Sequence, residues 1–156
     1  MSPPDFASPV PGSADLTAHH VGCAVRDMDA AIATYADALG LGRRTRAIAV
    51  ESQAVSVCFI ELQPGFYVEL VAALSDQAKL GSFLKVGFYH LCFLTPDLAS
   101  KRRALEDKGF YPLPAFASEA FDGNLCQFFM SPQGQMIELA EMAPEAFDAF
   151  FRANLG

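Results

Sequence analysis

Basic residues are scarce in this 156-residue chain, where 11 Lys and Arg stand against 18 Asp and Glu and leave a net charge of −7. Nucleic acids and anionic membrane surfaces are bound through basic faces, so this composition argues against both kinds of partner. Long apolar runs are missing as well, since none approaches the roughly 20 residues that span a bilayer. The sequence therefore predicts neither a nucleic-acid partner nor a membrane partner.

Close cysteine pairs are also absent. Cys23, Cys58, Cys92 and Cys126 have no C-x-x-C spacing, which argues against a zinc knuckle, and each lies in an apolar, strand-like stretch. We expect four buried thiols in a reducing, cytoplasmic environment rather than a disulfide framework. The opening MSPPDFASPVPGSAD contains four Pro and lacks the pattern of a signal peptide, so residues 1–16 are predicted to be a flexible tail.

What the chain does contain is an internal repeat. The pattern Gly-x-x-[Val/Ile]-Glu-Leu occurs twice, as GFYVEL around Glu69 and as GQMIEL around Glu138. Each copy is preceded by an apolar run that begins with histidine, HVGCAV at His20 and HLCFLT at His90. Glu69 follows His20 by 49 residues and Glu138 follows His90 by 48. Two copies of one structural unit therefore account for most of the chain.

Each copy has the pattern of one strand, one helix and three strands. Asp27 and Asp97 follow the two histidines by seven residues and are plausible helix N-caps, because a carboxylate there accepts from first-turn amides. Gly40 and Gly109 stand where a left-handed helix end is expected. The strands that follow are predicted near Thr45–Val50, AVSVCFIEL and FYVELVA in the first copy, and near Tyr111–Phe116, NLCQFFM and QMIELAE in the second.

The predicted fold is α+β, with two tandem β-α-β-β-β modules whose curved, mixed sheets form one cup. Pro144 opens the C-terminal stretch, which has Phe147, Phe150 and Phe151 at helical spacing and is predicted to be an amphipathic helix. The expected organisation is a tail at 1–16, a first module at 17–74, a linker at 75–86, a second module at 87–142 and a C-terminal helix at 143–156.

The repeated histidine and glutamate predict a metal site. A carboxylate in an apolar strand is costly to bury unless it is paired or bound to a cation. If the modules lie side by side, their first and last strands bring His20, Glu69, His90 and Glu138 together. Imidazole and carboxylate ligands suit Zn, Ni, Co, Mn and Fe alike, so the expected cofactor is one divalent ion of unspecified identity. Four protein ligands would leave coordination positions for water or substrate oxygens.

The segments HHVGCAV, ALGL, FYVEL, FYHLCF and MIELAE resemble the vicinal oxygen chelate superfamily, which includes glyoxalase I, methylmalonyl-CoA epimerase, extradiol dioxygenases and antibiotic-resistance proteins. The resemblance covers about four fifths of the chain and is greatest to the methylmalonyl-CoA epimerases. It implies a glyoxalase-like fold and places the ligands of the family at His20, Glu69, His90 and Glu138. Two departures from the epimerases are Tyr89, where they usually have histidine, and the absence of a Gly-rich loop in FASEAFDGNLCQFFMSPQGQ.

The resemblance also implies a reaction, a partner and an oligomeric state. We expect a metal-dependent isomerase or epimerase that abstracts a proton next to a chelated carbonyl group of a small-molecule substrate. Glu138 and Glu69, at related positions of the two repeats, are the expected catalytic bases. Members of the family frequently dimerise, so a homodimer is expected.

Three other functions remain open at this point. A glyoxalase I-type lactoylglutathione lyase, acting on a glutathione hemithioacetal, fits the same segments. A ring-cleaving iron dioxygenase fits less well, because such sites usually use two His and one carboxylate. A metal-free protein that binds a small molecule such as an antibiotic is the alternative from outside enzymology, and the four filled ligand positions argue against it.

The remaining polar residues have weaker claims to a function. Strand alternation places His19 on the face opposite His20, where it would support that residue from behind or lie at the surface. Tyr67, Tyr89 and Gln127 are candidates for lining the cup, although packing is the favoured expectation. The loop at Asp122 and Gly123 is expected to be a turn, with covering of a substrate as the alternative. The basic cluster is expected to be a solvated strand end, with binding of a CoA phosphate or a carboxylate as the alternative; it consists of Arg43, Arg44 and Arg46.

Overall fold

The computed structural model describes residues 16–78 and 86–156, which form one nine-stranded sheet with three helices. Most of the predicted tail and residues 79–85 of the predicted linker lie outside the described residues. The first repeat contains β1 (Thr17–Ala24), α1 (Met28–Ala33), β2 (Ile48–Val50), β3 (Val55–Gln63) and β4 (Phe66–Ala73). The second contains β5 (Gly87–Thr95), α2 (Leu98–Asp107), β6 (Tyr111–Pro112), β7 (Phe116–Ser118), β8 (Asn124–Met130) and β9 (Met136–Glu141), and α3 (Pro144–Ala153) follows.

The sheet confirms the predicted arrangement of two β-α-β-β-β units around a shared cup. Its strand order is β2-β3-β4-β1-β5-β9-β8-β6, and β7 pairs with β8. In each repeat the first and last strands are parallel neighbours, β1 with β4 and β5 with β9. The two repeats join through the antiparallel pair β1 and β5. The strands that contain His20 and His90, β1 and β5, are therefore central. Each is flanked by the strand that contains the glutamate of its own repeat, β4 or β9.

Both helices begin at the predicted caps. The Asp27 side chain accepts from the amide of Ala30, and the Asp97 side chain accepts from the amide of Ser100, both at 3.0 Å. Gly40 has a φ of +72° at the end of the first helical segment. That segment differs from the second, because α1 continues into a π-helical turn at Thr34–Ala38 whereas α2 is regular over its length.

Helices α1 and α2 lie on the face of the sheet opposite the cup. On the first repeat, Val68 and Leu70 face a cluster that includes Met28 and Ile32 of the α1 segment. On the second repeat, an equivalent cluster forms under α2 and contains Leu98, Phe129 and Leu139. Alternate residues of the same strands face the cup, so β4 and β9 each place their glutamate in the cup and its apolar neighbours under a helix.

Two strand predictions were too long. The predicted strand at Thr45–Val50 is a strand only over Ile48–Val50, because Thr45 forms a bridge to Leu155 at the C-terminus. The predicted strand at Tyr111–Phe116 is divided into β6 and β7. Pro112 and Pro114 supply no N–H groups to a continuous ladder, which accounts for the interruption.

At one side of the cup, the two repeats contact each other through the turns that connect their strands. Short 3₁₀ turns connect β2 to β3 and β7 to β8, and each is followed by a residue in the left-handed region, Ala54 and Asp122. The amide of Glu51 donates to the carboxylate of Glu119 at 3.2 Å, and the hydroxyl of Ser52 donates to a carbonyl group of β7 at the same distance. These contacts fix the two hairpin tips against each other and close the cup on that side.

The C-terminal helix α3 packs inside the cup rather than on its outer surface. Phe147 and Phe151 are buried, and their rings contact Tyr67 of β4 with centroid separations of 5.2 Å and 4.9 Å. The chain after the helix is held by a hydrogen bond of 2.8 Å from the amide of Arg46 to the carbonyl group of Asn154. Part of the cup is therefore filled by aromatic side chains of α3.

Candidate metal centre

The four predicted ligands meet at one buried point between the repeats. His20 and His90 face each other with 2.9 Å between their Nε2 atoms. The Oε1 atom of Glu138 lies 3.2 Å from Nε2 of His20 and 3.5 Å from Nε2 of His90. Glu69 completes the cluster, with Oε1 at 3.6 Å and 3.7 Å from the same two nitrogens. All four side chains are buried, and all four come from one chain.

Strand register explains why the ligands converge. Gly22 of β1 pairs with Glu69 on one side and with His90 on the other. In the next row, His20 of β1 is level with Cys92 of β5, which in turn pairs with Glu138 of β9. The glycine has no side chain to separate its two neighbours. A Cβ atom there would overlap the imidazole of His90, so this position requires glycine.

Two β-bulges change the direction in which the side chains just before His20 and His90 point. Between the pairs formed by Ala18 and His20, β1 advances two residues while β5 advances one, so His19 is the extra residue. On the other strand, Tyr89 is the extra residue between the partners of Gly22 and Cys23. Both bulged residues directly precede a ligand histidine. A bulge interrupts alternation, so the residue before each ligand also turns toward the cup.

The prediction that His19 lies on the face opposite His20 is therefore wrong, and of the two positions open to it, it lies beside His20 rather than at the surface. His19 is only 2% exposed, and its Nδ1 atom lies 2.8 Å from Nδ1 of His20. Burial lowers the pKa of His19 well below its ordinary value, and the neighbouring His20 lowers it further. His19 is thus a neutral imidazole beside the ligand cluster.

The cluster fits a divalent metal ion. Ligand bonds of 2.0–2.2 Å place neighbouring donor atoms about 2.9 Å apart at right angles and about 3.4 Å apart in a tetrahedron. The observed separations run from 2.9 to 3.7 Å. Two imidazole nitrogens directed at one point, with two carboxylates beside them, form an arrangement that a shared cation stabilises. The donor set does not select among Zn, Ni, Co, Mn and Fe.

The two carboxylates differ in pKa. Burial raises the pKa of Glu69 to about 8, and the negative charge of Glu138 adds to that shift. Burial acts in the same direction on Glu138, but polar contact with His20 and His90 outweighs it and holds the pKa of this carboxyl well below its usual range. Without a cation, Glu69 is therefore the carboxyl that carries a proton at neutral pH, and Glu138 is ionised.

A cavity of ≈ 30 Å³ lies against both carboxylates. Its polar lining includes Tyr89, Gln53 and Ser118 besides Glu69 and Glu138. The remaining lining is apolar, with valines from the first repeat and phenylalanines from the second, among them Val50, Val55, Val57, Val71, Phe116 and Phe128. An apolar group placed next to the metal cluster would meet favourable surroundings there.

Tyr67, Gln127 and Arg43 have structural roles away from the cavity. Tyr67 is buried against α3, and burial raises its pKa to about 12. Gln127 donates to the carbonyl group of Leu113 at 2.7 Å. Arg43 pairs with both carboxylate oxygens of Glu61 at 3.0 Å, and its guanidinium lies 5.2 Å from the centroid of the Phe151 ring. None of these three side chains lines the cavity.

Two residues of the centre were not identified from the sequence. Gly22 lies in HVGCAV, two residues after the first ligand, and that spacing in a strand was the available signal for a shared face. The sequence predicts Cys92 only as a buried thiol, yet it lies between His20 and Glu138 in one row of the sheet. Burial raises the pKa of Cys92 well above its ordinary value, so its side chain remains a neutral thiol. All four cysteines are free and buried.

Among residues 16–78 and 86–156, the structure contains no helix with the length and apolar character that crossing a membrane requires.

Comparison with known proteins identifies a family that matches the part of the chain in which three of the four predicted ligands lie. A family model described as the glyoxalase/bleomycin resistance protein/dioxygenase superfamily matches residues 19–128, a range that includes His20, Glu69 and His90 and ends before Glu138. The ethylmalonyl-CoA/methylmalonyl-CoA epimerase of Cereibacter sphaeroides is 32% identical over 96 residues, which cover 58% of this chain and 69% of the relative.

Solved structures give the same result at the level of the fold. Methylmalonyl-CoA epimerase from Mycobacterium tuberculosis superimposes with a TM-score of 0.68 at 27% identity, over 82% of this chain and 89% of that one. A variant of the Streptomyces coelicolor epimerase in complex with 2-nitronate-propionyl-CoA has the same TM-score at 23% identity, over 79% and 94% of the two chains. The resemblance predicted from the repeated segments is confirmed.

Proposed function

The chain belongs to the glyoxalase/bleomycin resistance protein/dioxygenase superfamily, and from this membership and its buried ligand cluster we propose that it is a divalent-metal-dependent isomerase or epimerase. The proposed reaction is proton abstraction next to a chelated carbonyl group of a small-molecule substrate. His20, Glu69, His90 and Glu138 would hold the ion. The proposed protein is a homodimer in which each chain contains a whole site.

One observation carries this proposal. Two imidazoles and two carboxylates converge in one chain, at separations that suit a metal ion, directly beside a cavity that both carboxylates line. Structural ion pairs also bury carboxylates, but they do not require two histidine nitrogens at 2.9 Å from each other. A metal-free binding protein of the same fold would have no need for this arrangement.

A divalent ion held there would act as a Lewis acid that polarises substrate oxygens and makes the neighbouring C–H bond more acidic. Glu138 and Glu69 extend from β9 and β4, on opposite sides of the central pair β1 and β5. We assign proton abstraction to Glu138 and return of the proton to Glu69, and each carboxyl would act in this way when it is not bound to the ion. The abstracted proton forms an O–H bond on one carboxylate, and a proton from the other carboxyl restores the C–H bond on the second face.

The cavity supports a substrate with an apolar substituent near the reacting carbon. The relatives are named for methylmalonyl-CoA and ethylmalonyl-CoA, which carry a methyl or an ethyl group at that carbon. Valines and phenylalanines line the cavity beside Glu69 and Glu138, and such surroundings favour a small alkyl group over a charged one. A CoA thioester of a substituted malonate is therefore the first substrate to test, and a glutathione hemithioacetal is the second.

The first experiment measures metal content by mass spectrometry after the purified protein is stripped and reloaded with Ni, Co, Zn, Mn or Fe separately. About one ion per chain is expected in the wild type, and His90→Ala should lose it because the cluster then lacks one imidazole. Glu106→Gln, a change of an exposed residue of α2, is the control. No binding in the wild type would overturn the metal site and favour a search for captured small molecules.

The second experiment separates catalysis from metal binding. The loaded protein is incubated with methylmalonyl-CoA in D₂O, and exchange of the proton next to the carbonyl groups is followed by NMR. Glu138→Gln keeps an oxygen that can face the ion but removes the base, so turnover should fall by about 100- to 10,000-fold while metal content changes little. Equal losses of turnover and metal would contradict the role of Glu138 as a base. No exchange with methylmalonyl-CoA, together with lactoylglutathione formation in a separate assay with the hemithioacetal of methylglyoxal and glutathione, would favour the lyase.

A further inference from the structure

The hydrogen bond between His19 and His20 has a direction that the metal site dictates. This inference rests on the proposed function, because it concerns how His20 is prepared to hold the ion. We propose that His19 is a positioning residue that accepts a hydrogen bond from Nδ1 of His20 and thereby fixes the tautomer and the ring orientation of that ligand. No ligand role of its own is assigned to His19.

The direction follows from counting protons. Nδ1 of His19 and Nδ1 of His20 lie 2.8 Å apart, so one of them donates and the other accepts. Nε2 of His20 faces His90 and Glu138 and must offer a lone pair to bind a metal ion. The proton of His20 is then on Nδ1, which makes this atom the donor. His19 accepts through Nδ1 and therefore carries its own proton on Nε2.

The surroundings of His19 suit this tautomer. Its ring is buried among the aromatic rings of Phe59, Tyr67, Phe121 and Phe147, and Nε2 has no hydrogen-bond partner among the residues that the structure describes. The ring of Phe147 stands nearly perpendicular to it, at 82° and with the centroids 4.0 Å apart. An aromatic enclosure of this kind disfavours a second proton and its charge on the imidazole.

A β-bulge distorts the sheet at His19 and makes the contact between His19 and His20 possible. Regular alternation would turn His19 away from the cup, and the bulge at His19 turns it toward Nδ1 of His20 instead. Ligand histidines commonly donate their second N–H to a carboxylate or a carbonyl group, which fixes the ring. Here a neutral imidazole takes that place. It orients the ligand without adding a third negative charge to the two glutamates of the cluster.

The equivalent position in the second repeat provides an internal contrast. Tyr89 is also a bulged residue that precedes a ligand histidine, but its ring contacts the imidazole of His90 edge to face, with centroids 4.3 Å apart. Nδ1 of His90 is buried and has no hydrogen-bond partner within the described part of the chain. Only the first repeat therefore fixes its ligand histidine through a preceding imidazole.

The test compares three variants for Zn²⁺ affinity, by competition with a chelator, and for the visible absorption spectrum after loading with Co²⁺. His19→Leu removes the acceptor and should weaken metal binding by about 10- to 100-fold and alter the Co²⁺ spectrum. His19→Asn restores an acceptor oxygen near the position of Nδ1, so its loss should stay below about tenfold. Phe151→Leu, on the same aromatic cluster but not in contact with His19, controls for loss of packing and should lower Tm without changing affinity.

A measurement on the wild type keeps the inference falsifiable if a variant fails to fold. Two-dimensional ¹⁵N NMR of the Zn-loaded protein identifies which ring nitrogen of each histidine carries the proton. We expect Nδ1–H for His20 and Nε2–H for His19. The opposite tautomer of His19, or equal affinity of wild type and His19→Leu, would overturn the inference while leaving the metal site intact. Absence of Zn²⁺ binding by the wild type would overturn both.

Discussion

Glu69 and Glu138 hold the same place in the two repeats, yet their electrostatic environments differ. Both are buried, both come from the last strand of a β-α-β-β-β unit, and both face His20 and His90. Glu138 lies 3.2 Å from the nearer imidazole nitrogen, whereas Glu69 lies 3.6 Å from it. The difference of a few tenths of an ångström accompanies pKa shifts in opposite directions. One repeated pattern therefore produces two buried carboxyls whose pKa values are shifted in opposite directions.

The repeats also differ in what they place around the ligands. The first contributes valines of β2, β3 and β4 to the cavity, and the second contributes phenylalanines of β7 and β8. The 3₁₀ turn of the first repeat ends with Gln53, and the turn of the second ends with Phe121, which is buried. Equivalent backbone positions thus hold a polar group in one repeat and an aromatic group in the other. The two histidines and two glutamates preserve the symmetry of the cup, while the residues that line the cavity depart from it.

The largest expected effect comes from adding a side chain at Gly22, where its absence leaves room for the imidazole of His90. Gly22→Ala introduces a Cβ atom where the imidazole of His90 lies, so the ring must move and the cluster loses a ligand. Metal affinity should fall by more than about 100-fold, above the range for loss of an outer hydrogen-bond partner. Gly42→Ala is the matched control, because open space surrounds that position. Wild-type affinity in Gly22→Ala would contradict the convergence of the repeats at this residue.

An intermediate effect is expected from replacing the carboxyl group of Glu69 by an amide, which does not titrate. With its pKa raised to about 8, Glu69 of the metal-free folded chain keeps a proton that the unfolded chain releases near pH 4.3. The stabilisation is complete below that lower pH and is lost as the pH rises through 8, by at most about 1.4 kcal/mol per pH unit. Glu138 does not alter this window, because its lowered pKa matters only under more acidic conditions. His19, whose pKa burial lowers, acts in the opposite direction below the ordinary imidazole pKa of about 6.5, so the loss of stability due to Glu69 is separated from it only above that pH.

Denaturant unfolding in chelator, measured from about pH 7 to about pH 8, above the range in which His19 contributes, tests this expectation. The free energy of unfolding should decrease with rising pH in the wild type, and Glu69→Gln should flatten that decrease because the amide does not titrate. Glu106→Gln, at an exposed position of α2, should retain the wild-type slope. A slope that persists in Glu69→Gln would show that another group binds the proton.

The smallest effect is expected at the bulged residue of the second repeat. Tyr89→Phe removes a hydroxyl group but preserves the ring that contacts His90, so metal affinity should change by less than about tenfold. The same competition assay used for His19→Leu measures it. A loss as large as that of His19→Leu would mean that the two bulged residues act alike, which the contrast between the repeats does not predict.

Much of the site could be predicted because its signals are a repeat and short local patterns. The offset between histidine and glutamate is nearly the same in both halves, and the Asp caps and the Pro and Gly turns depend on residues near one another in the sequence. Alternation correctly placed Glu69 on the same face as Tyr67 and Val71, since β4 has no bulge near the glutamate. The same rule was wrong for His19, because β1 bulges where it pairs with β5.

Local pattern therefore determines that two equivalent units form and that each offers one imidazole and one carboxylate. The bulges at His19 and Tyr89, the gap at Gly22 and the insertion of Phe147 into the cup arise only when distant segments pack together. His20 and His90 are 70 residues apart, and nothing in the periodicity of either strand specifies their register. Register is set by the packing of both faces of the sheet at once, so it belongs to the folded chain rather than to any short segment.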